Sequence, residues 1–285
     1  TRYRYDMCGR LAQEESGEQR CEFTYNEAGL EKRSVYGNGV IREACYDPAT
    51  LWLTGVRATD ADGRILQDQQ YFYDFHGNMT RVRNRMAERS YQKNQSVDGV
   101  CDYTYDEEYR LIKASGRELN GPANDLACME TYRETYYYDG DGNLVKKVHK
   151  SPSAQWTKDF TIDEASCRLI GENDEKALYD ERGRPVQLPG ICALTWNGQG
   201  QLIKAVLLDR GGEDDIERYR YDENGNRVRR VSVRQSMAGD ERTEVISFGS
   251  FRRKRKWIGE QLVLDRTERQ LFGPSGRPCA VAYQW

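Results

Sequence analysis

A seven-residue pattern recurs along the chain and limits its fold more than any other feature. It reads Tyr-Asp-x-x-Gly, then Arg or Asn, then an aliphatic residue. It stands at Tyr5-Asp6-Met7-Cys8-Gly9-Arg10-Leu11, at Tyr73-Asp74-Phe75-His76-Gly77-Asn78-Met79 and at Tyr138-Asp139-Gly140-Asp141-Gly142-Asn143-Leu144. It returns at Tyr179-Asp180-Glu181-Arg182-Gly183-Arg184 and at Tyr221-Asp222-Glu223-Asn224-Gly225-Asn226. Looser copies fill the gaps. They begin at Tyr25-Asn26, Tyr46-Asp47, Thr59-Asp60, Tyr105-Asp106, Trp196-Asn197 (with Gly200) and Phe272-Gly273. One match would be weak evidence, but a series in order along the chain marks a repeat architecture.

The chemistry of the motif is that of a turn. An Asp side chain accepts from backbone N–H groups two residues on. A Gly three residues later takes positive φ at no steric cost. A type I turn followed by such a Gly makes a short hairpin with a bulge. On either side the residues alternate at period 2. Tyr3/Tyr5, Phe23/Tyr25, Tyr71/Tyr73, Tyr103/Tyr105, Tyr136/Tyr138 and Tyr219/Tyr221 precede turns; Leu144-Val145-Lys146-Lys147-Val148 and Val228 to Val233 follow them. Period 2 puts aromatic and aliphatic residues on one face and charges on the other. No helix-period segment of ten residues occurs, and Lys204 to Leu208 is too short to read as one. The expected fold is all-β: a long antiparallel sheet of stacked hairpins. Each strand twists its neighbour, so such a sheet curls into a spiral and, with enough repeats, winds around a space as part of a hollow shell. Tyr suits such a wall, because its ring packs while its hydroxyl stays wet. Residues 1–285 read as one such region, since no stretch reads as a linker.

Composition fits this reading. Only 38% of residues are hydrophobic and 31% are charged, which leans toward disorder. The 19 Tyr, 5 Trp and 7 Phe argue against disorder and for two-faced strands. Net charge is −3 with both signs interspersed, which does not favour nucleic acid. No stretch reaches the length of a membrane span. The chain opens and closes mid-pattern, and the expectation is a piece of a longer polypeptide.

Side chains that could carry chemistry have plainer readings. The cysteines stand singly and form no C-x-x-C pair, so free thiols are expected. Zinc is not expected, since His76 and His149 are the only histidines and neither has ligand spacing. Both read as exposed structural residues. Asp139 to Asn143 looks like part of a calcium loop, but Lys150 stands where that loop needs Glu. The basic run Arg252 to Lys256 reads as a solvated loop or wall edge, and Glu213-Asp214-Asp215 as a solvated loop. Asn120–Thr131 and Ser236–Thr243 read as loops between hairpins. Asn78-Met79-Thr80 and Asn94-Gln95-Ser96 match a glycosylation acceptor, which carries meaning only in an extracellular animal protein. No nucleophile motif or phosphate-cradling loop appears, and no catalytic, cofactor-binding or metal residue is assigned.

The motifs resemble the Rhs/YD-repeat family, whose members form spiral β-sheet shells. The likeness extends over nearly the whole chain to the shell region of the C component of bacterial insecticidal toxin complexes, the Tc toxins. It is carried by Tyr36-Gly37-Asn38-Gly39-Val40 before Tyr46-Asp47-Pro48, by Ile65 to Asp74 with Gly77-Asn78, and by Tyr103-Thr104-Tyr105-Asp106 running through Tyr109 to Glu118. Tyr136 to Asp139, Leu194 to Asn197 with Gly200-Gln201-Leu202, and Tyr219-Arg220-Tyr221 continue it. Phe248 to Lys256 departs from the pattern and puts the strand register there in doubt.

The resemblance implies a wall of a hollow cocoon that pairs with a B-type shell component. That cocoon encloses an unfolded C-terminal toxin segment until delivery, in a secreted complex. In that family a downstream core releases the cargo by self-cleavage. No segment here matches that core, so no catalytic residue is carried over and the chain is read as no enzyme. Two other readings predict different surroundings. A surface-displayed binding or adhesion module, as in animal teneurins, predicts adjoining EGF-like or propeller domains. A carbohydrate-binding or polymer-cleaving protein needs a paired-carboxylate cleft, and nothing singles out such a pair.

Overall fold

The computed structural model describes residues 2–16, 19–88, 90–92, 95–121, 128–211, 214–237, 239–274 and 278–284. These residues contain no α-helix, and every strand pair is antiparallel. They divide into two units, Thr1–Asp159 and Phe160–Trp285.

Unit 1 holds β1 (Arg2–Tyr5), β2 (Leu11–Ser16), β3 (Gln19–Tyr25), β4 (Glu31–Tyr36), β5 (Ile41–Tyr46), β6 (Leu53–Thr59), β7 (Ile65–Tyr73) and β8 (Met79–Asn84). A small pair follows, β9 (Ser90–Gln92) and β10 (Gln95–Val97). Then come β11 (Val100–Tyr105), β12 (Leu111–Leu119), β13 (Met129–Tyr138), β14 (Leu144–Lys150) and the first part of β15 (Gln155–Asp163). β1 to β8 and β11 to β15 form one sheet whose order follows the sequence. Neighbouring strands in this order are hydrogen-bonded, as serial hairpins require, with β8 joining β11 past the small pair.

Unit 2 opens with the end of β15 paired to β16 (Arg168–Glu172), then the short β17 (Glu175–Lys176), β18 (Leu178–Tyr179) and β19 (Pro185–Gln187). An eight-stranded sheet completes it, again in sequence order: β20 (Ala193–Trp196), β21 (Leu202–Leu208), β22 (Asp215–Tyr221), β23 (Arg227–Ser236), β24 (Gly239–Phe248), β25 (Phe251–Ile258), β26 (Gln261–Phe272) and β27 (Pro278–Gln284).

Apart from Phe23 and Leu271, the buried residues are mostly small or polar. Ala44 and Val56 face each other across β5 and β6, and Ala114 lies on β12. Among the largest fully buried side chains are Leu271, Glu14, Glu268 and Val97. So little large apolar surface is hidden that cross-strand pairs and backbone bonds carry much of the cohesion.

Several expected loops are strands. Ser236 pairs with Gly239, so Ser236–Thr243 is the tight link between β23 and β24 and then β24 itself. The run Arg252 to Lys256 lies inside β25, hydrogen-bonded to β24 on one side and β26 on the other. Its charges do not force it into solvent because acids on both neighbours meet them. Phe248 pairs with Phe251, and the β24–β25 register runs unbroken, which removes the doubt raised there. Met129–Thr131 belong to β13. Asp215 opens β22, where it accepts from the Gln235 N–H at 3.0 Å and pairs with Arg210 at 3.2 Å, so it is no loop residue. Parts of three expected features lie outside the described residues: 122–127, Glu213 and Asn94. The turn of the Phe272 copy is also outside them beyond Pro274.

Candidate functional site: the repeat turn and the bonds between repeats

Each full copy of the motif builds the same turn. The Asp6 N–H donates to the Arg10 carbonyl at 2.8 Å, and the Gly9 N–H donates to the Asp6 carbonyl at 3.0 Å. Asp74, Asp139, Asp180, Asn197 and Asp222 repeat both bonds with Gly77, Gly142, Gly183, Gly200 and Gly225. These glycines have φ from 75° to 92°, the region a β-carbon disfavours. Tyr109 takes this position in the Asp106 turn at φ 62°, and its hydroxyl meets His76 Nδ1 at 3.2 Å.

The Asp side chain does more than the two-residue reach expected of it. Asp6 Oδ1 accepts from the N–H groups of Cys8 and Arg10, both at 2.9 Å, and Oδ2 takes the Arg10 Nε at 2.7 Å. The residue after the Gly is therefore Arg or Asn because it must donate to Oδ2. Arg110 and Arg184 do so at 2.7 Å, Asn78 at 2.9 Å and Asn143 at 3.0 Å. At Asp74, Asp139, Asp180 and Asp222 that side-chain donor is the leading cause that holds the carboxyl below its usual range, with the backbone N–H groups adding to it. In the Asp139 turn this leaves the carboxylate serving the turn, and no metal-holding cluster occurs among the described residues.

The tyrosine joins one repeat to the next. The Tyr25 hydroxyl donates to the Leu11 carbonyl at 2.6 Å, and Leu11 is the residue just past the preceding turn. Tyr46 reaches Glu31, Tyr73 reaches Leu53, Tyr105 reaches Met79 and Tyr138 reaches Leu111, at 2.8 to 2.9 Å. In unit 2, Tyr179 reaches Leu169 at 2.8 Å and Tyr221 reaches Leu202 at 2.9 Å. Trp196 uses its indole N–H on Pro185 at 2.7 Å. The expectation of a wet hydroxyl is thus corrected: it caps a carbonyl next to the bulge that turns such as those of Asp6, Asp106 and Asp139 introduce. Tyr5 sits on β1, the sheet's first strand, and is 62% exposed. The turn arginine adds a further contact, with Arg10 over the Tyr25 ring at 4.6 Å and Arg110 over Tyr138 at 5.0 Å. One repeat therefore supplies an acceptor and a cation, and the next supplies the ring and the donor.

Sequence reasoning missed the buried charge clusters. Glu268 is fully buried on β26 and pairs with Arg252 and with Arg266. Glu244, on β24, pairs with Arg229 and with Arg255 at 2.6 Å. Burial alone would raise the Glu268 carboxyl, but Arg252 and Arg266 hold it below its usual range. His149 was expected to be exposed and is instead 4% exposed, within β14. Its ring stacks on Trp156 at 4.8 Å, and its nitrogens face Glu134 at 3.3 Å and Glu118 at 3.2 Å. Period 2 places it on the aromatic face between Lys147 and Trp156, and that alternation was the available signal. His76 is exposed at a hairpin tip. Cys8, Cys21, Cys45, Cys101, Cys128, Cys167 and Cys192 are free thiols.

No family model matches the chain. Among curated proteins it is 31% identical over 287 residues to toxin subunit YenC1 of Yersinia entomophaga, covering 92% of this chain and 29% of that one. It is 26% identical over 272 residues to the probable deoxyribonuclease RhsA of Dickeya dadantii, covering 86% of this chain and 16% of that one. Its fold matches a chain in the crystal structure of TcdB2-TccC3-Cdc42 with a TM-score of 0.80. Identity there is 30%, over 95% of this chain and 14% of that one. The chain shares its repeat and its fold with Rhs proteins and toxin-complex subunits. Its likeness to the toxin-complex subunits is stronger than its likeness to RhsA. The chain spans under a third of the curated relatives it matches.

Proposed function

We propose that the chain is a wall segment of a hollow Rhs/YD-repeat shell that encloses an unfolded toxin segment, and that this segment is itself no enzyme. In this reading residues 1–285 act as one continuous repeat region of a longer, secreted subunit that pairs with a B-type shell component. The observation that carries the reading is the tyrosine bond from each repeat to the one before it. It commits the recurring aromatic of the motif to extending a sheet, turn after turn. The turn residues Asp6, Asp74, Asp106, Asp139, Asp180, Asn197 and Asp222 then serve to keep the hairpin tips rigid rather than to bind a ligand. The likeness to a chain solved together with TcdB2 supports the choice of partner.

The test uses a full-length subunit containing this segment, with a protease-sensitive reporter as its C-terminal cargo, co-expressed with a B-type component. The reading expects the reporter to survive trypsin in the assembled complex and to be cut once the complex is opened with denaturant. A reporter cut in the intact complex as fast as a free peptide would overturn it.

A further inference from the structure

Several charges of unit 1 meet partners: Arg33 lies 3.8 Å from Glu43, Arg85 3.8 Å from Asp68, and Lys146 3.5 Å from Asp159. One stretch gathers cations that do not. The registers of β8, β11, β12, β13 and β14 bring Arg81, Asp102, Ser115, Arg133 and Lys150 into a single row across the strands. Residues two apart on a strand share a face, so Arg83 stands beside Arg81 and Thr131 beside Arg133. The row lines an open groove of about 870 Å³.

Arg81 is paired with Asp102 at 2.5 Å. Asp98 lies on the groove as well, and its carboxylate accepts the Val100 N–H at 3.1 Å. Arg83, Arg133 and Lys150 have neither an ion-pair nor a hydrogen-bond partner among the described residues, and all three are exposed. Three like charges around one groove repel one another, and an anion in the groove relieves that. On the same face as these cations the lining offers the hydroxyls of Ser115 and Thr131, with Val100 and Pro152 apolar. Such a lining offers neither a pocket for an apolar peptide side chain nor the series of stacking platforms that a nucleic acid needs. It does offer hydroxyl partners for a ligand that itself bears hydroxyls. Arg133 and Lys150 sit on adjacent strands about 4.8 Å apart, a spacing comparable to one sugar residue.

We propose that this groove binds an acidic oligosaccharide. Arg83, Arg133 and Lys150 take its sulfate or carboxylate groups, and Ser115 and Thr131 take its hydroxyls. The site stands apart from the shell reading, because it needs only the folded sheet of unit 1.

A fluorescently labelled heparin hexasaccharide, titrated into the purified chain and followed by anisotropy, tests this. The triple variant Arg83→Gln, Arg133→Gln, Lys150→Gln is expected to bind ~20-fold more weakly or worse, on the scale of three exposed charge contacts. Its melting curve should match the wild type, since these side chains hold nothing in the fold. The variant Arg83→Lys, Arg133→Lys should recover most of the affinity, and Arg220→Gln in unit 2 should change nothing. A poly-glutamate peptide and a single-stranded oligonucleotide of matched charge serve as competitors. Failure of the wild type to bind, or undiminished binding by the triple variant, overturns the site. Equal or better competition by the peptide or the oligonucleotide overturns the assignment to a glycan.

Discussion

Replacing Tyr73, Tyr105 and Tyr138 by Phe removes three hydroxyls and leaves every ring in place. The lost bonds run to the carbonyls of Leu53, Met79 and Leu111 at 2.9, 2.9 and 2.8 Å. A hydrogen bond of this kind contributes ~1 kcal/mol net. The three lie in separate repeats with no shared partner, so their effects add, to ~3 kcal/mol for the triple variant. With a urea dependence of ~2 kcal/mol/M for a unit of this size, the unfolding midpoint of unit 1 falls by ~1.5 M. Trp52 and Trp156 report on unit 1, while Trp196 and Trp257 report on unit 2. Tyr137→Phe is the control, because that side chain is 49% exposed and its hydroxyl has no partner among the described residues. It should shift the midpoint by less than ~0.2 M. A triple variant that unfolds with the wild type, or a control that falls as far, would refute the tyrosine bond as the tie between repeats.

Four further outcomes follow. Gly200→Ala meets no atom within 4 Å and isolates the cost of φ +80°, ~1 kcal/mol, whereas Gly77→Ala also drives its β-carbon to 2.9 Å from Trp52 and should cost clearly more in the same urea assay. Glu268→Gln leaves Arg252 and Arg266 facing a neutral amide, and since Arg252 is partly exposed the loss should be ~2 kcal/mol, read on Trp257. Burial lifts the phenols of Tyr103 and Tyr219 to about 12, so the unfolded chain releases those protons first; stability should hold below pH 10 and fall from there toward 12, as circular dichroism against pH will show. The turn carboxyls Asp74, Asp139, Asp180 and Asp222 are lowered from 3.8, so the stability they lend is present above that value and is lost as pH falls below it; replacing two of them with Asn should flatten the acid limb of the same curve.

The hairpins were legible because their chemistry is local. Asp and Gly at fixed offsets specify a turn whatever surrounds it, and period 2 around Tyr71/Tyr73 or Tyr219/Tyr221 specifies strands. What depended on neighbours was not legible. The Tyr25 hydroxyl finds its acceptor 14 residues back, at Leu11, and nothing near Tyr25 in sequence announces that. Arg252 to Lys256 looked like a loop because five cations in a row read as solvated. Glu244, Asp265 and Glu268 lie on the flanking strands, and only the register shows that they meet those charges. His149 looked exposed among lysines, yet Glu118 comes to it from 31 residues away. The basic groove was invisible for the same reason: Arg83, Arg133 and Lys150 are far apart in sequence and become neighbours only through four strand pairings.

Electron cryo-microscopy of the full-length subunit bound to a B-type component tests the shell reading most directly. The account predicts that β1 to β27 lie in a closed wall, with one sheet face lining a lumen that contains density for an unfolded chain. Strands with solvent on both faces, or a lumen that is absent, would contradict it.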